Sequence, residues 1–130
     1  MNQSYRPALG ALLLCALALG CGRSRSPAET RENERFLWAT AGAMTLRSAA
    51  RNPDSFVVEA ALVMSDKVVC YHYRAQNGFG GMDRGRAVVT DSGLATDEQA
   101  GFEPVWEKEC TNKSGDDKGR SVQSALARRR

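Results

Sequence analysis

Apolar and polar positions divide the chain into one charge-free block, one stretch of helical period and several stretches of strand period. Ala8 to Gly20 (ALGALLLCALALG) runs thirteen residues without a charge. Farther on, Phe36, Ala39, Ala43, Leu46 and Ala50 recur at spacings of three and four, with Leu37, Ala41 and Met44 beside them, which predicts a helix with one apolar face. Its start is marked by Ser26-Pro27-Ala28-Glu29. Ser26 is placed to accept from the N3 amide, Pro27 occupies N1 where its missing N–H costs nothing, and Glu29 can reach back to the cap. Its end is expected near Arg51, because Pro53 pushes Asn52 out of the α region.

Strand periods follow. Ser55 to Met64 (SFVVEAALVM) sets Phe56, Val58, Ala60, Leu62 and Met64 on one face at period two. Ser65-Asp66 is a short polar turn into Lys67 to Ala75 (KVVCYHYRA), the partner strand of a hairpin. Gln76 to Asp83 (QNGFGGMD) reads as a glycine-rich loop, Arg84 to Thr90 as a third strand, and Asp91-Ser92-Gly93 as the turn that ends it. Leu94 to Glu109 fits either a loop or a final short strand or helix carrying Phe102, Val105 and Trp106 to Cys110. Beyond Thr111 only Val122, Ala125, Leu126 and Ala127 are apolar, so residues 113–130 are expected to form a flexible basic tail. The expected fold is α+β, a helix packed on an antiparallel sheet of three to four strands, over a compact domain of residues 27–112.

The charge-free block changes the picture. It is too short to span a bilayer, which takes about 20 apolar residues. With Arg6 before it and small residues at its end, it has the form of a secretory signal peptide over residues 1–20. Two cleavage sites compete. Ala16-Leu17-Ala18 permits a cut before Leu19 and release of a soluble secreted or periplasmic protein. Leu17-Ala18-Leu19-Gly20-Cys21 resembles the bacterial lipobox and is preferred; Cys15 is a poor rival because Leu14 precedes it. That resemblance implies diacylglyceration of the Cys21 thiol, cleavage before Cys21, acylation of the new amino group by a chain such as palmitate, and a membrane anchor followed by a tether over residues 21–26. Gly22, a non-Asp residue after the cysteine, then implies the outer membrane, facing the periplasm, in a cell with two membranes.

Of the four cysteines, Cys15 leaves with the signal and Cys21 would be consumed by lipid. In an oxidising compartment the remaining two are expected to pair as a Cys70–Cys110 disulfide. Neither lies in a CxxC, and the single histidine cannot complete a zinc set, so no metal or cofactor is expected. Composition narrows the class further. The 130 residues are 42% hydrophobic and 25% charged, which excludes collagen, a pure coiled coil and a fully disordered chain. A net charge of +3 is too small for a dedicated nucleic-acid binder.

A wider resemblance rests on Asn52-Pro53-Asp54-Ser55-Phe56, Cys70 with Tyr73, Asn77-Gly78-Phe79-Gly80-Gly81, and Trp106 with Cys110. In that order these residues resemble small exported bacterial domains of the lipoprotein type, over roughly residues 50–110. The resemblance implies the same disulfide and a compact fold, and carries no activity with it.

Candidate chemistry is sparse. Gly78-Phe79-Gly80-Gly81 is no phosphate cradle, since a strand rather than a helix follows it. His72 should share a strand face with Cys70 and Arg74, and no nucleophile elbow surrounds any serine. Asp91, Asp97, Glu98, Glu103, Glu107 and Glu109 read as a solvated acidic surface. No catalytic residue is assigned. The candidate binding surface is Tyr71, His72, Tyr73, Asn77 and Phe79. The expected function is a membrane-anchored envelope lipoprotein, a non-enzymatic binding or structural module. Its expected partners are the membrane through Cys21 and an envelope protein or cell-wall component, without nucleic acid. The alternatives are a secreted enzyme inhibitor and a small periplasmic hydrolase using His72.

Overall fold

The structure, a computed structural model, describes residues 24–129. The expected signal block, the lipobox-like run with Cys21 and the first residues of the expected tether lie outside the described residues. The first element, helix α1 (Pro27–Ala49), begins on the expected capping box: the Ser26 hydroxyl accepts from the Glu29 amide at 3.2 Å, and the Glu29 carboxylate accepts from the Ser26 amide at 2.7 Å. These bonds hold the Glu29 carboxyl below its ordinary pKa. The helix stops before Asn52-Pro53, and a single 3-10 turn, Pro53–Ser55, leads into the sheet.

Strands β1 (Val57–Ser65), β2 (Val68–Gln76), β3 (Met82–Thr90) and β4 (Gly93–Thr96) form an antiparallel meander, and a two-residue strand β5 (Asp116–Asp117) adds to β1, giving the order β4-β3-β2-β1-β5. Helix α2 (Phe102–Glu109) covers one face of the sheet; α1 and α3 (Gly119–Ala127) cover the other. The fold is α+β, with helix packed on antiparallel sheet as expected, and with five strands in place of three to four.

The period-two stripe of β1 does not stay on one face. Val58 pairs with Tyr73 and Ala60 with His72, so Glu59 is an extra residue, a β-bulge that turns the rest of the strand over. Phe56 and Val58 therefore join Ala61 and Val63 against α1 and α3, while Leu62 and Met64 pack against α2. A single inserted residue moves every later side chain to the opposite face. The α1–α3 layer is built on Ala39, Ala43, Leu46, Val122 and Leu126 over Val69, Tyr71, Ala87 and Val89. Small residues on α1 let it lie close: a Cβ on Gly42 would sit 2.5 Å from the Tyr71 hydroxyl.

The expected flexible tail is instead structured over its greater part. α3 buries Val122 completely and Leu126 almost so, and each such burial is worth about 1.5–3 kcal/mol. Four apolar residues at Val122, Ala125, Leu126 and Ala127 suffice for a short helix once a sheet and a second helix are there to receive them. The same segment closes the β1 edge. Asp117 Oδ1 accepts from the Ala61 amide at 3.1 Å, Gln123 Oε1 accepts from the Val58 amide at 2.8 Å, and the Lys118 amide donates to the Ala61 carbonyl at 2.8 Å. Side chains thus satisfy edge groups that would otherwise invite another strand. Lys118 also bonds Asp116 and Glu32, which raises its pKa above the ordinary lysine range and ties this segment to α1.

The ambiguous stretch 94–109 comprises β4, a turn and α2. Gly101, in the left-handed region at φ 86°, ends the turn and opens α2. Cys70 on β2 and Cys110 at the end of α2 are bonded, with their Cα atoms 6.0 Å apart. Trp106, Phe102 and Val88 enclose the bridge.

Candidate functional site

Two sequence motifs more than twenty residues apart meet at one end of the molecule. The turn after α1 carries Asn52-Pro53-Asp54-Ser55, and the β2–β3 connection carries Asn77-Gly78-Phe79-Gly80-Gly81. Gln76, the last residue of β2, joins them: Asn52 Nδ2 donates to Gln76 Oε1 at 2.7 Å, and the Gln76 amide donates to Ser55 Oγ at 2.9 Å. Nothing in the spacing of the two motifs foretells this contact, since it depends on α1 lying antiparallel to β1.

The loop is closed by its own polar groups. Asn77 Oδ1 accepts from the amides of Phe79 at 3.0 Å and Gly81 at 2.9 Å, its Nδ2 donates to Asp83 at 3.1 Å, and its backbone amide donates to the Gly81 carbonyl at 2.7 Å. Gln76 Nε2 donates to the Gly80 carbonyl at 3.1 Å. Gly80 sits at φ 87°, a conformation that a residue with a Cβ adopts at a cost. Asparagine at the start of a tight loop bonding amides two and four residues on is the local reason the sequence turns here. The product is a rigid tip on which Phe79 stands fully exposed, with Met82 48% exposed close behind.

Charge surrounds the tip. The Arg51 guanidinium lies against Gly78, 3.2 Å from where a Cβ would be. Arg74 and Arg84, facing each other across β2 and β3, both reach Glu59, the residue expelled by the bulge, at 3.8 and 3.3 Å. Arg47 donates to the Pro53 carbonyl and to the Leu126 carbonyl, each at 3.1 Å, which brings the end of α3 with Arg128 and Arg129 to this same end of the molecule.

The five residues of the expected binding surface do not form one surface. Tyr71 is fully buried on the α1 side, where its hydroxyl donates to the Ala39 carbonyl at 2.7 Å. Tyr73 lies on that side too, tilted against Phe56 with ring centroids 5.3 Å apart. His72 is on the opposite face, edge-on to Trp106 at 5.4 Å. Only Asn77 and Phe79 come together, at the hairpin tip. Arg51, Gln76 and Met82 were not legible as members of this site, because nothing in the sequence brings them together.

His72 shares its face with Cys70 and Arg74, as the alternation implied. Its side chain makes no hydrogen bond among the described residues, so nothing there orients it as a base toward a hydroxyl. The acidic residues around it are engaged differently from a catalytic pair. Asp97 accepts from the Arg86 amide at 2.9 Å and Glu103 takes the Arg86 guanidinium at 2.5 Å, while that guanidinium lies over both Phe102 and Trp106, 5.2 Å from each ring. Arg86 thus clamps α2 to the sheet. Among the described residues no group of His, Cys, Asp and Glu is placed to hold a metal ion, and no helix is long and apolar enough to cross a membrane.

Compared with family models, with curated proteins and with solved structures, the chain finds no match in any of the three, so the site is read from its own geometry.

Proposed function

We propose that the protein is a membrane-anchored envelope lipoprotein, a non-enzymatic binding module that makes its contact through the β2–β3 hairpin end. The observation that carries the binding role is Phe79, a fully exposed aromatic on a loop already ordered by at least five hydrogen bonds. An aromatic ring held rigid in water loses little freedom when a partner covers it, which is the property of a binding hot spot. The anchor is supported by the lipobox-like run ending at Cys21, and the oxidising compartment by the pairing of Cys70 with Cys110.

Two measurements test the reading. A fatty-acid probe fed to producing cells should label the protein, and Cys21→Ser should abolish the label and leave uncleaved precursor. A photo-crosslinking residue placed at position 79 in the intact envelope should form adducts, to lipid or to protein, that the same residue at the exposed position 107 does not. Equal yields at the two positions would remove the hairpin end from the function.

A further inference from the structure

We infer that the hairpin end docks on an anionic lipid surface, with Phe79 entering the headgroup–acyl boundary and arginines beside it meeting lipid phosphates. This rests on the binding reading above and names the partner of that same site. The shape argues for lipid. Phe79 crowns a convex tip flanked by Gly78, Gly80 and Gly81, with Met82 behind it, and aromatic side chains are favoured at the level of lipid headgroups.

Charge argues the same way. At this end Glu59 is paired with Arg74 and Arg84, and Asp54 with Arg47 at 3.5 Å, while Asp83 is bonded by the neutral Asn77 amide and keeps its charge. Arg51, Arg128 and Arg129, by contrast, form no ion pair among the described residues, and the Arg51 guanidinium lies against Gly78, the residue before Phe79. A guanidinium next to the loop that carries an exposed aromatic, with two more at the same end of the molecule, is complementary to a leaflet that carries negative charge, and each adds to the attraction within a Debye length of the surface.

One ring and a few arginines bind a vesicle weakly when free in solution. An acyl anchor on the same chain makes the contact effectively intramolecular, so a weak site is sufficient. The geometry has a consequence. α1 has 23 residues, about 35 Å at 1.5 Å per residue, and its ninth, Arg35, is bonded at 2.9 Å to Asp66 in the β1–β2 turn, at the end of the sheet away from the hairpin tip, with the start of α1 more than two turns before it. With both anchor and tip on one membrane, α1 runs along the membrane plane.

The test uses the full chain reconstituted into vesicles of phosphatidylcholine alone or mixed with phosphatidylglycerol, with Phe79→Trp as the probe and the unsubstituted chain as the background for Trp38 and Trp106. The melting temperature should not change, since the Phe79 ring is fully exposed and the backbone bond of that residue to Asn77 is kept. On the anionic vesicles the added emission should shift to the blue and be quenched several-fold by brominated lipid. High salt, or Arg51→Gln together with Arg128→Gln and Arg129→Gln, should reverse most of that quenching. Quenching of the same size on neutral vesicles would overturn the anionic docking. Emission that stays water-like on both vesicles would overturn it as well. If a crosslinker at position 79 then still captures an envelope protein, the binding role stands with a protein partner. If it captures nothing, the binding role falls too.

Discussion

The Tyr71 hydroxyl donates to the Ala39 carbonyl at 2.7 Å, joining the centre of the sheet to the middle of α1 across a fully buried interface. Tyr71→Phe keeps the ring and loses the bond, so it should destabilise the protein by about 1 kcal/mol, read by urea denaturation. A change much larger than that would mean the hydroxyl positions α1 rather than merely bonding to it.

The same group sets an alkaline limit on stability. Burial pushes the Tyr71 phenol far above its ordinary pKa, and burial, with help from Asp97 and Glu98, raises Tyr73. A raised folded-state pKa contributes stability that is complete below the unfolded value, near pH 10, and is lost as pH climbs from there toward the folded value. Unfolding free energy should therefore fall above about pH 10, by up to about 1.4 kcal/mol per pH unit from Tyr71. In Tyr71→Phe that slope should flatten. An unchanged slope would assign the loss to other groups.

Gly42 is where α1 comes nearest to the sheet. A Cβ there would stand 2.5 Å from Tyr71 Oη and 2.9 Å from Val89 Cγ2, both on side chains packed in the core. Gly42→Ala gains about 1 kcal/mol of helix propensity and forces an overpacked interface costing about 1–3 kcal/mol. Because the Tyr71 ring is buried and hydrogen-bonded, it cannot swing aside, and the net effect should be a lower melting temperature. A rise would show that α1 can lift off the sheet without cost.

The Cys70–Cys110 bridge closes a separation of 40 residues and fastens α2 over the sheet. Replacing both cysteines by serine should cost about 2–5 kcal/mol and open Trp106, only 8% exposed, to an aqueous quencher. In protein purified from producing cells without reductant, these two thiols should resist alkylation until reductant is added. Ready alkylation of both would contradict the bridge.

Leu126→Ala truncates the largest buried side chain of α3, leaving a cavity in the core it shares with Val122, Phe56 and Val58. It should cost about 2–5 kcal/mol. A neutral result would return this segment to the flexible tail that its composition suggests.

Much of this protein is determined by sequence-local chemistry. Ser26-Pro27-Ala28-Glu29 specifies the start of α1, and Asn52-Pro53 its end, because caps and proline act through bonds within four residues. The β1–β2 hairpin, the glycine loop before β3 and the face shared by Cys70, His72 and Arg74 follow from period and turn chemistry, and the pairing of Cys70 with Cys110 followed once Cys15 and Cys21 were set apart. Tertiary structure decided the rest. The bulge at Glu59 splits one apolar stripe between two cores, since both faces of the sheet are covered and either can receive it. α3 forms because the β1 edge and α1 offer Val122 and Leu126 a place to be buried, a benefit invisible in a short polar segment read alone. Tyr71 and Phe79, neighbours in a list of aromatic candidates, end as core and tip: one strand position faces a helix, and the other stands on a loop whose hydrogen bonds leave its ring nothing to touch.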